Sequence, residues 1–531
     1  MITLKPQKVP ARERRAEQLP AHRACFSSRT GAEMDWLSLT LTSVLILVLY
    51  VIRLSQLRKK RIPKDAKLPP VPPATPLIGH TEYHQQHFFA TTAMEWAKSY
   101  GHTFRVKVGF TELVIVNDYD AIERLFARDE LLYRSKAWRL YGLSVGYPMS
   151  LEGDAWVQNR RFCIRALRDI GFAKPSIDGD IVDECHRLIA RISESAGQPI
   201  AVEKLILPSV SNNTVAPVFG ESYPFDHPKR KWLDDTLRNL SVAVNKTRRI
   251  TPVSFLKGPL LSSIAFPGRQ NIQKYFRALG DFTRNEIFDR ESRGTKTSRT
   301  LIDAYFEEMA AHKNDPHSHF TVENLMSTAI GFFQAGSAGV PTFMHWHMLH
   351  FALRADTLQA EVQAEIDHVI GPDRRPVWED RRKMPLTMAV LWEMLRWKSI
   401  TPLSVPRRAE VDFVCDGFFF PAGITVMANY WAVHNDPNVW PNPEKFDPSR
   451  FINDDGSAIL EKHKRLIPFS LGKRKCPAET QAIMVLFLYI TCILQHFRVL
   501  PEEGVTIDPG DAIDRLPNKA KYKLRFIPRK N

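Results

Sequence analysis

The sequence predicts a mainly α protein with small β-sheets. Long stretches read as helix, at 156–168, 321–353, 361–370 and from Glu479 to Leu494, each too long for a strand. Strand-like alternation is confined to short pieces, as in Phe104-Arg105-Val106-Lys107-Val108 within 103–116, in 409–429 around the turn residues Asp416-Gly417 and Pro421-Ala422-Gly423, and in a closing strand at 521–527. The 531 residues are 44% apolar and 25% charged, the make-up of an ordinary folded protein with ample material for a core, and no break in composition after the N-terminal region divides them. One large domain follows, from residue 81 to residue 531.

The elements ahead of that domain come in order. Residues 1–33 are polar, basic and without periodicity, and are expected to be a disordered extension. Met34 opens an apolar run from Trp36 to Ile52, followed by Arg53 and by Arg58-Lys59-Lys60-Arg61. It is read as an uncleaved membrane anchor over 34–54, with the basic cluster on the cytosolic side. The basic residues of 1–33 pull the opposite way, so either the orientation signal is weak or Met34 is the true start. Residues 55–80 form a basic and proline-rich hinge, whose Leu68-Pro69-Pro70-Val71-Pro72-Pro73 cannot continue a helix. The formal charge of +15 comes from scattered Lys and Arg without a nucleic-acid-binding motif, so a membrane surface or an acidic protein is the expected partner and nucleic acid is not. Six cysteines, at 25, 163, 185, 415, 476 and 492, show no CxxC spacing and argue against a disulfide framework or a zinc site.

One cysteine stands apart, in Pro468-Phe469-Ser470-Leu471-Gly472-Lys473-Arg474-Lys475-Cys476-Pro477-Ala478-Glu479. Alone, a cysteine is more often a small buried hydrophobe than a ligand. Here Gly472 permits a tight turn, and Arg474 places a cation two residues before the sulfur, which favours thiolate. The following helix aims its N-terminal N–H groups and dipole at that sulfur. A cysteinate held this way suits the axial position of haem iron, where its electron donation favours O–O cleavage. The segment resembles the haem-binding signature of the cytochrome P-450 superfamily, Phe-x-x-Gly-x-Arg-x-Cys-x-Gly, through Phe469, Gly472, Arg474 and Cys476, with Ala478 in the place of the last glycine.

The resemblance extends along the chain from Met34 and is closest to the animal microsomal group. It implies the P-450 fold, haem b bound axially through Cys476, and contacts from Trp156 and Arg160 of a Trp-x-x-x-Arg helix to a propionate. In Pro406-Arg407-Arg408 it makes Arg407 the better propionate candidate. Glu393 and Arg396 match the family's Glu-x-x-Arg helix, which Arg450 completes; these three serve folding and haem-loop positioning. On the long helix the family usually carries Ala/Gly-Gly-x-Asp/Glu-Thr-Thr/Ser, whereas this chain reads Ala335-Gly336-Ser337-Ala338-Gly339-Val340-Pro341-Thr342. The glycine that admits a ligand is kept at Gly336, but Ala338 and Gly339 replace the acid and the alcohol and can neither donate nor accept a proton. Pro341 is expected to open or kink the helix. Thr342, one turn beyond Gly339, and Ser337 at an angle to it, are the hydroxyls left for proton delivery. The mixed segment 209–272 takes the position of the family's substrate-roof helices, with Phe255, Leu256, Leu260, Leu261, Ile264 and Phe266 as apolar lining.

The implied activity is oxidation of a lipophilic substrate (steroid, fatty acid or xenobiotic) with O2. Electrons come from an NADPH-dependent P-450 reductase that carries the flavins, and the catalytic domain stands on the cytosolic face of the endoplasmic reticulum membrane. Arg161, Arg165, Lys462, Lys464 and Lys473 are the basic groups such a reductase would meet. The missing acid and alcohol keep two alternatives open: rearrangement or dehydration of an already oxygenated lipid on the same fold, and a haem-binding protein with impaired catalysis.

Overall fold

The computed structural model describes Thr42, Ser43, Leu45 and residues 62–529, apart from 77, 109–110, 135–150, 248–268, 294–299, 458–461 and 518. The basic extension, most of the anchor, and the apolar candidates Phe255, Leu256, Leu260, Leu261, Ile264 and Phe266 lie outside the described residues. The chain divides between Ile62 and Pro63, and the unit from Pro63 onward is mainly helical with small sheets.

Its helices are α1 (Thr92–Tyr100), α2 (Tyr119–Ala127), α3 (Gly153–Asp169), α4 (Asp178–Ser193), α5 (Glu203–Phe219), α6 (Pro228–Thr247), α7 (Arg269–Arg293), α8 (Leu301–Ala311), α9 (Val322–Leu353), α10 (Leu358–Val369), α11 (Pro385–Trp397), α12 (Tyr430–His434) and α13 (Glu479–His496). The strands are β1 (Thr103–Val108), β2 (Thr111–Val116), β3 (Tyr133–Arg134), β4 (Arg407–Arg408), β5 (Phe413–Cys415), β6 (Phe418–Phe420), β7 (Thr425–Ala428), β8 (Phe497–Pro501) and β9 (Leu524–Pro528).

The expected 103–116 alternation is the antiparallel hairpin β1–β2, in which Thr103 pairs with Val116. β2 runs parallel to β7, giving a sheet in the order β1-β2-β7-β4-β3. β5 and β6 turn through Asp416 (φ 51°) and Gly417 (φ 71°), two left-handed residues in succession, as a tight hairpin needs. The closing strand, β9, pairs with β8.

α13 is the centre of the packing. It is long and apolar enough to cross a membrane by length and composition alone, yet 78% of it is buried, in a core shared with α4, α9, α10 and α11. α9 begins at Thr321, whose hydroxyl accepts the Asn324 N–H, and runs through Pro341 to Leu353 as one helix. The helix is therefore not opened at Pro341, which is itself buried although it lacks the N–H that would close its turn. α11 starts on Pro385, and the Glu365 carboxylate of α10 caps it by accepting the Leu386 and Thr387 N–H groups at 2.8 Å each.

Two further expectations change. Residues 209–219 are not roof but the second half of α5, a buried helix packed along α9. Gly336 is what lets them meet, since a Cβ there would stand 2.3 Å from the Thr214 hydroxyl oxygen. The proline-rich segment is extended as expected, but it is pinned to the sheets. Lys67 pairs with Phe418, the Pro69 and Pro70 carbonyls accept from Arg105, and the Pro72 carbonyl lies 3.1 Å from His80 Nε2. The compact unit thus begins at Pro63 and takes in the later part of the hinge.

Candidate active site

The Cys476 loop folds back on itself. The Lys475 N–H donates to Gly472 O (3.0 Å), the Cys476 N–H to Phe469 O (2.8 Å), and α13 starts three residues after the cysteine. Ser470 and Gly472 both have φ of 69°. At Gly472 a Cβ would lie 2.0 Å from the Phe126 carbonyl oxygen, so the loop reaches α2 only because that residue has no side chain. Burial pushes the Cys476 thiol above its usual range; the Ala478 N–H, Arg160 and Lys462 pull it back, while Glu479 pushes it further up. Arg474 is not the cation beside the sulfur, as the sequence suggested. Its guanidinium donates to Leu132 O and Leu151 O, both at 2.8 Å, and stacks 3.9 Å from the Trp156 ring.

Trp156 and Arg160, one turn apart on α3 and expected from the family resemblance to contact a propionate, lie against the Cys476 loop. The Arg160 guanidinium lies 5.6 Å from the indole and donates to Lys475 O at 2.6 Å. Arg407 on β4 is 1% exposed; it stacks on the Phe126 ring at 3.5 Å and donates to Leu471 O (2.7 Å), Phe126 O (3.1 Å) and Ser470 Oγ (3.2 Å). Arg408 is buried too but committed elsewhere, to Glu152 at 3.0 Å and to Glu410. Four guanidiniums, those of Arg134, Arg160, Arg407 and Arg474, therefore face one another. Desolvation pushes Arg474 down to about 8, with Arg134, Arg160 and Arg407 adding repulsion and Glu152 only partly compensating. Arg407 is pushed down to about 9 for the same reasons, with Tyr430 the opposing group. Such a cluster calls for anions. Arg134 gave no signal in the sequence; it arrives through the pairing of β3 with β4.

Facing chemistry needs space, and α9 supplies it. Ala335 and Ala338 are exposed and Gly339 half-buried in the middle of a helix that is otherwise largely core. Thr342, half-buried, continues the same stripe, because residues separated by three, four and seven share a helix face. Gly336 points to Thr214 instead, and Ser337 is buried at 4% exposure on another side of the helix, its hydroxyl without a hydrogen-bond partner among the described residues.

Behind the loop, Glu393 and Arg396 of α11 form a fully buried ion pair at 2.6 Å. Arg396 also donates to His434 O, Pro443 O and Lys445 O, while Glu393 accepts the Asp447 N–H at 2.9 Å and stands 3.7 Å from Arg450. Among the expected docking cations, Lys462 is paired with Glu479 and Lys473 with Asp129, both at 2.5 Å. Arg165 is largely exposed and 3.6 Å from Glu308; Arg161 and Lys464 are exposed.

A half-buried cysteine at the head of a core helix, a cluster of guanidiniums and an open stripe of small residues are together what a haem-thiolate protein needs. Residues 69–524 match the family model described as Cytochrome P-450. The chain is similar to cytochrome P-450 2D14 of Bos taurus (32% identical, covering 92% of this chain and 99% of the relative). It is likewise similar to cytochrome P-450 2J2 of Homo sapiens (30%, covering 88% and 89%) and to cytochrome P-450 2A9 of Mesocricetus auratus (32%, covering 87% and 94%). The chain belongs to the cytochrome P-450 family and is a P-450 monooxygenase whose cofactor is haem b. The donor set fits that cofactor: two propionates would neutralise the arginine cluster, and the Cys476 sulfur would be the ligand for its iron.

Proposed function

We propose that the protein is a membrane-bound monooxygenase that oxidises a C–H bond of a lipophilic substrate, with electrons from an NADPH-dependent flavoprotein reductase. In this reading residues 34–54 anchor it in the endoplasmic reticulum membrane, and the unit from Pro63 onward works on the cytosolic side. The observation that carries it is the juxtaposition of the Cys476 loop with the guanidiniums of Arg160, Arg407 and Arg474.

Bound haem supplies oxygen activation. The chain's own residues hold and orient it. Cys476 would ligate the haem iron, a role in which a thiol gives up its proton. Arg160, Arg407 and Arg474, with Trp156 packed between two of them, would hold the propionates, and Arg134 adds charge to the same cluster. Phe469, whose carbonyl accepts the Cys476 N–H, would cover the sulfur. Ala335, Ala338 and Gly339 leave room on the other face because they have almost no side chain. With Ala338 and Gly339 unable to move a proton, the Thr342 hydroxyl is the group on the stripe that can hold a water or pass a proton, and Ser337, turned into the core, is not. Glu393, Arg396 and Arg450 position the loop from behind. Arg161, Arg165 and Lys464 offer exposed cations to an acidic reductase.

The test is product formation from a lipophilic substrate panel by haem-loaded protein with reductase, NADPH and O2. Turnover that requires all three is expected. Turnover of a lipid hydroperoxide needing neither reductase nor O2 would instead assign rearrangement chemistry.

A further inference from the structure

Beyond Thr342 the open stripe of α9 continues to Trp346, half-buried and seven residues past Gly339, hence on the same face and about 10 Å further along the axis. Two ammonium groups flank its indole, Lys398 Nζ and Lys519 Nζ, each 4.9 Å from the ring centroid. Neither makes an ion pair among the described residues; Lys398 donates to the Arg515 carbonyl, and Lys519 has only the more distant charge of Glu203 to offset it. Burial pushes both lysines down to about 8, and Asp514 and Asp511 offset Lys398 only in part, against Arg515 and Lys519. The polar groups around them are also unsatisfied. Among the described residues, His345, 2% exposed, has neither ring nitrogen hydrogen-bonded and feels the charge of Lys519, and Trp346 Nε1 is buried without a partner. The segment that carries Lys398 lies beside the stripe, because Ile400, two residues from Lys398, is what a side chain at Gly339 would touch, at 3.8 Å.

Two desolvated cations and orphaned donors at the end of an otherwise largely apolar stripe lack an anion among the described residues. We propose that Lys398 and Lys519, with Trp346 between them, take the carboxylate of an amphipathic acyl-chain substrate, whose hydrocarbon then lies along α9 past Thr342 to Gly339. The inference rests on the monooxygenase reading and narrows its substrate class from lipophilic molecules in general to lipophilic acids.

The test uses haem-loaded full-length protein titrated with dodecanoic acid and, separately, with dodecan-1-ol, which keeps the chain and drops the charge. Binding is followed calorimetrically and by the ligand-induced haem spectrum. The acid is expected to bind at least about tenfold more tightly than the alcohol. Lys398→Gln and Lys519→Gln should each erase most of that preference while leaving the alcohol's affinity unchanged, and Lys519→Arg should keep it. Equal affinities in the wild type, or a preference that both glutamine variants retain, would overturn the proposal. So would inorganic phosphate binding with the same lysine dependence while the acid shows no advantage, which would assign the corner to a free anion. Reductase-dependent turnover of dodecan-1-ol reports on the monooxygenase reading separately, so either idea can fail without the other.

Discussion

Single side chains divide here into those that bind charge and those that leave room. If the arginine cluster exists to meet two carboxylates, removing one guanidinium removes a charge-assisted bidentate contact, worth roughly 1.5–3 kcal/mol. Arg407→Ala and Arg474→Ala should therefore lower haem retention by about tenfold or more, measured as haem-to-protein ratio after gel filtration, whereas Arg408→Ala, whose partners are Glu152 and Glu410, should change it little. Thr342→Val should leave haem content intact and shift reducing equivalents from product to reduced oxygen, read as product formed per NADPH consumed. Wild-type coupling would remove Thr342 from proton delivery. The cysteine signature could be read in local spacing, whereas Trp156, Arg160 and Arg407 came to notice only through the resemblance to the family's motifs, and the structure brings all three to the Cys476 loop. The direction of Arg474 was not, since the carbonyls of Leu132 and Leu151 decide it, and both are remote in sequence. Arg134 was invisible for the same reason.

At the scale of elements, one glycine carries the packing of α5 on α9. The Cβ missing at Gly336 is the gap into which Thr214 of α5 fits. Gly336→Ala should destabilise the protein by about 1–3 kcal/mol through overpacking, and Thr214→Ala added to it should restore much of the loss, as read by denaturant midpoints. An unchanged midpoint in Gly336→Ala would mean the two helices can separate at no cost. α3, α9, α10 and α13 were legible as helical stretches in the sequence, α11 through its resemblance to the family's Glu-x-x-Arg helix, and the β5–β6 hairpin from Asp416-Gly417. α5 was not. It is buried on nearly all sides, so it lacks an amphipathic period, and it carries Pro208 and Pro217 internally. Its neighbours on α9 hold a helix that local propensity argues against. α9 likewise stays continuous through Pro341.

For the molecule as a whole, the buried pair of Glu393 and Arg396 joins α11 to the chain around His434 and Asp447. Glu393→Ala leaves an uncompensated buried guanidinium and should cost about 3–5 kcal/mol, seen as a lowered thermal midpoint. Acid should weaken the fold as well. Burial holds His345 down to about 3, His347 to about 4 and His434 to about 3, so these rings stay neutral in the native state while the unfolded chain protonates them below about 6.5. Their contribution is complete above that pH and is lost as pH falls toward the folded values, at roughly 1.4 kcal/mol per pH unit for each histidine. Asp234, raised to about 7 by burial, works in the opposite sense and offsets about one of them. The thermal midpoint should therefore drop between pH 7 and pH 5; a flat or rising midpoint would contradict the buried neutral histidines. The central claim is that the Cys476 sulfur ligates haem iron, and the most direct test is the carbon monoxide difference spectrum of the reduced protein. The wild type should give the strongly red-shifted Soret band of thiolate-ligated haem, and Cys476→Ser should lose that band. An unchanged band in the serine variant would contradict the assignment.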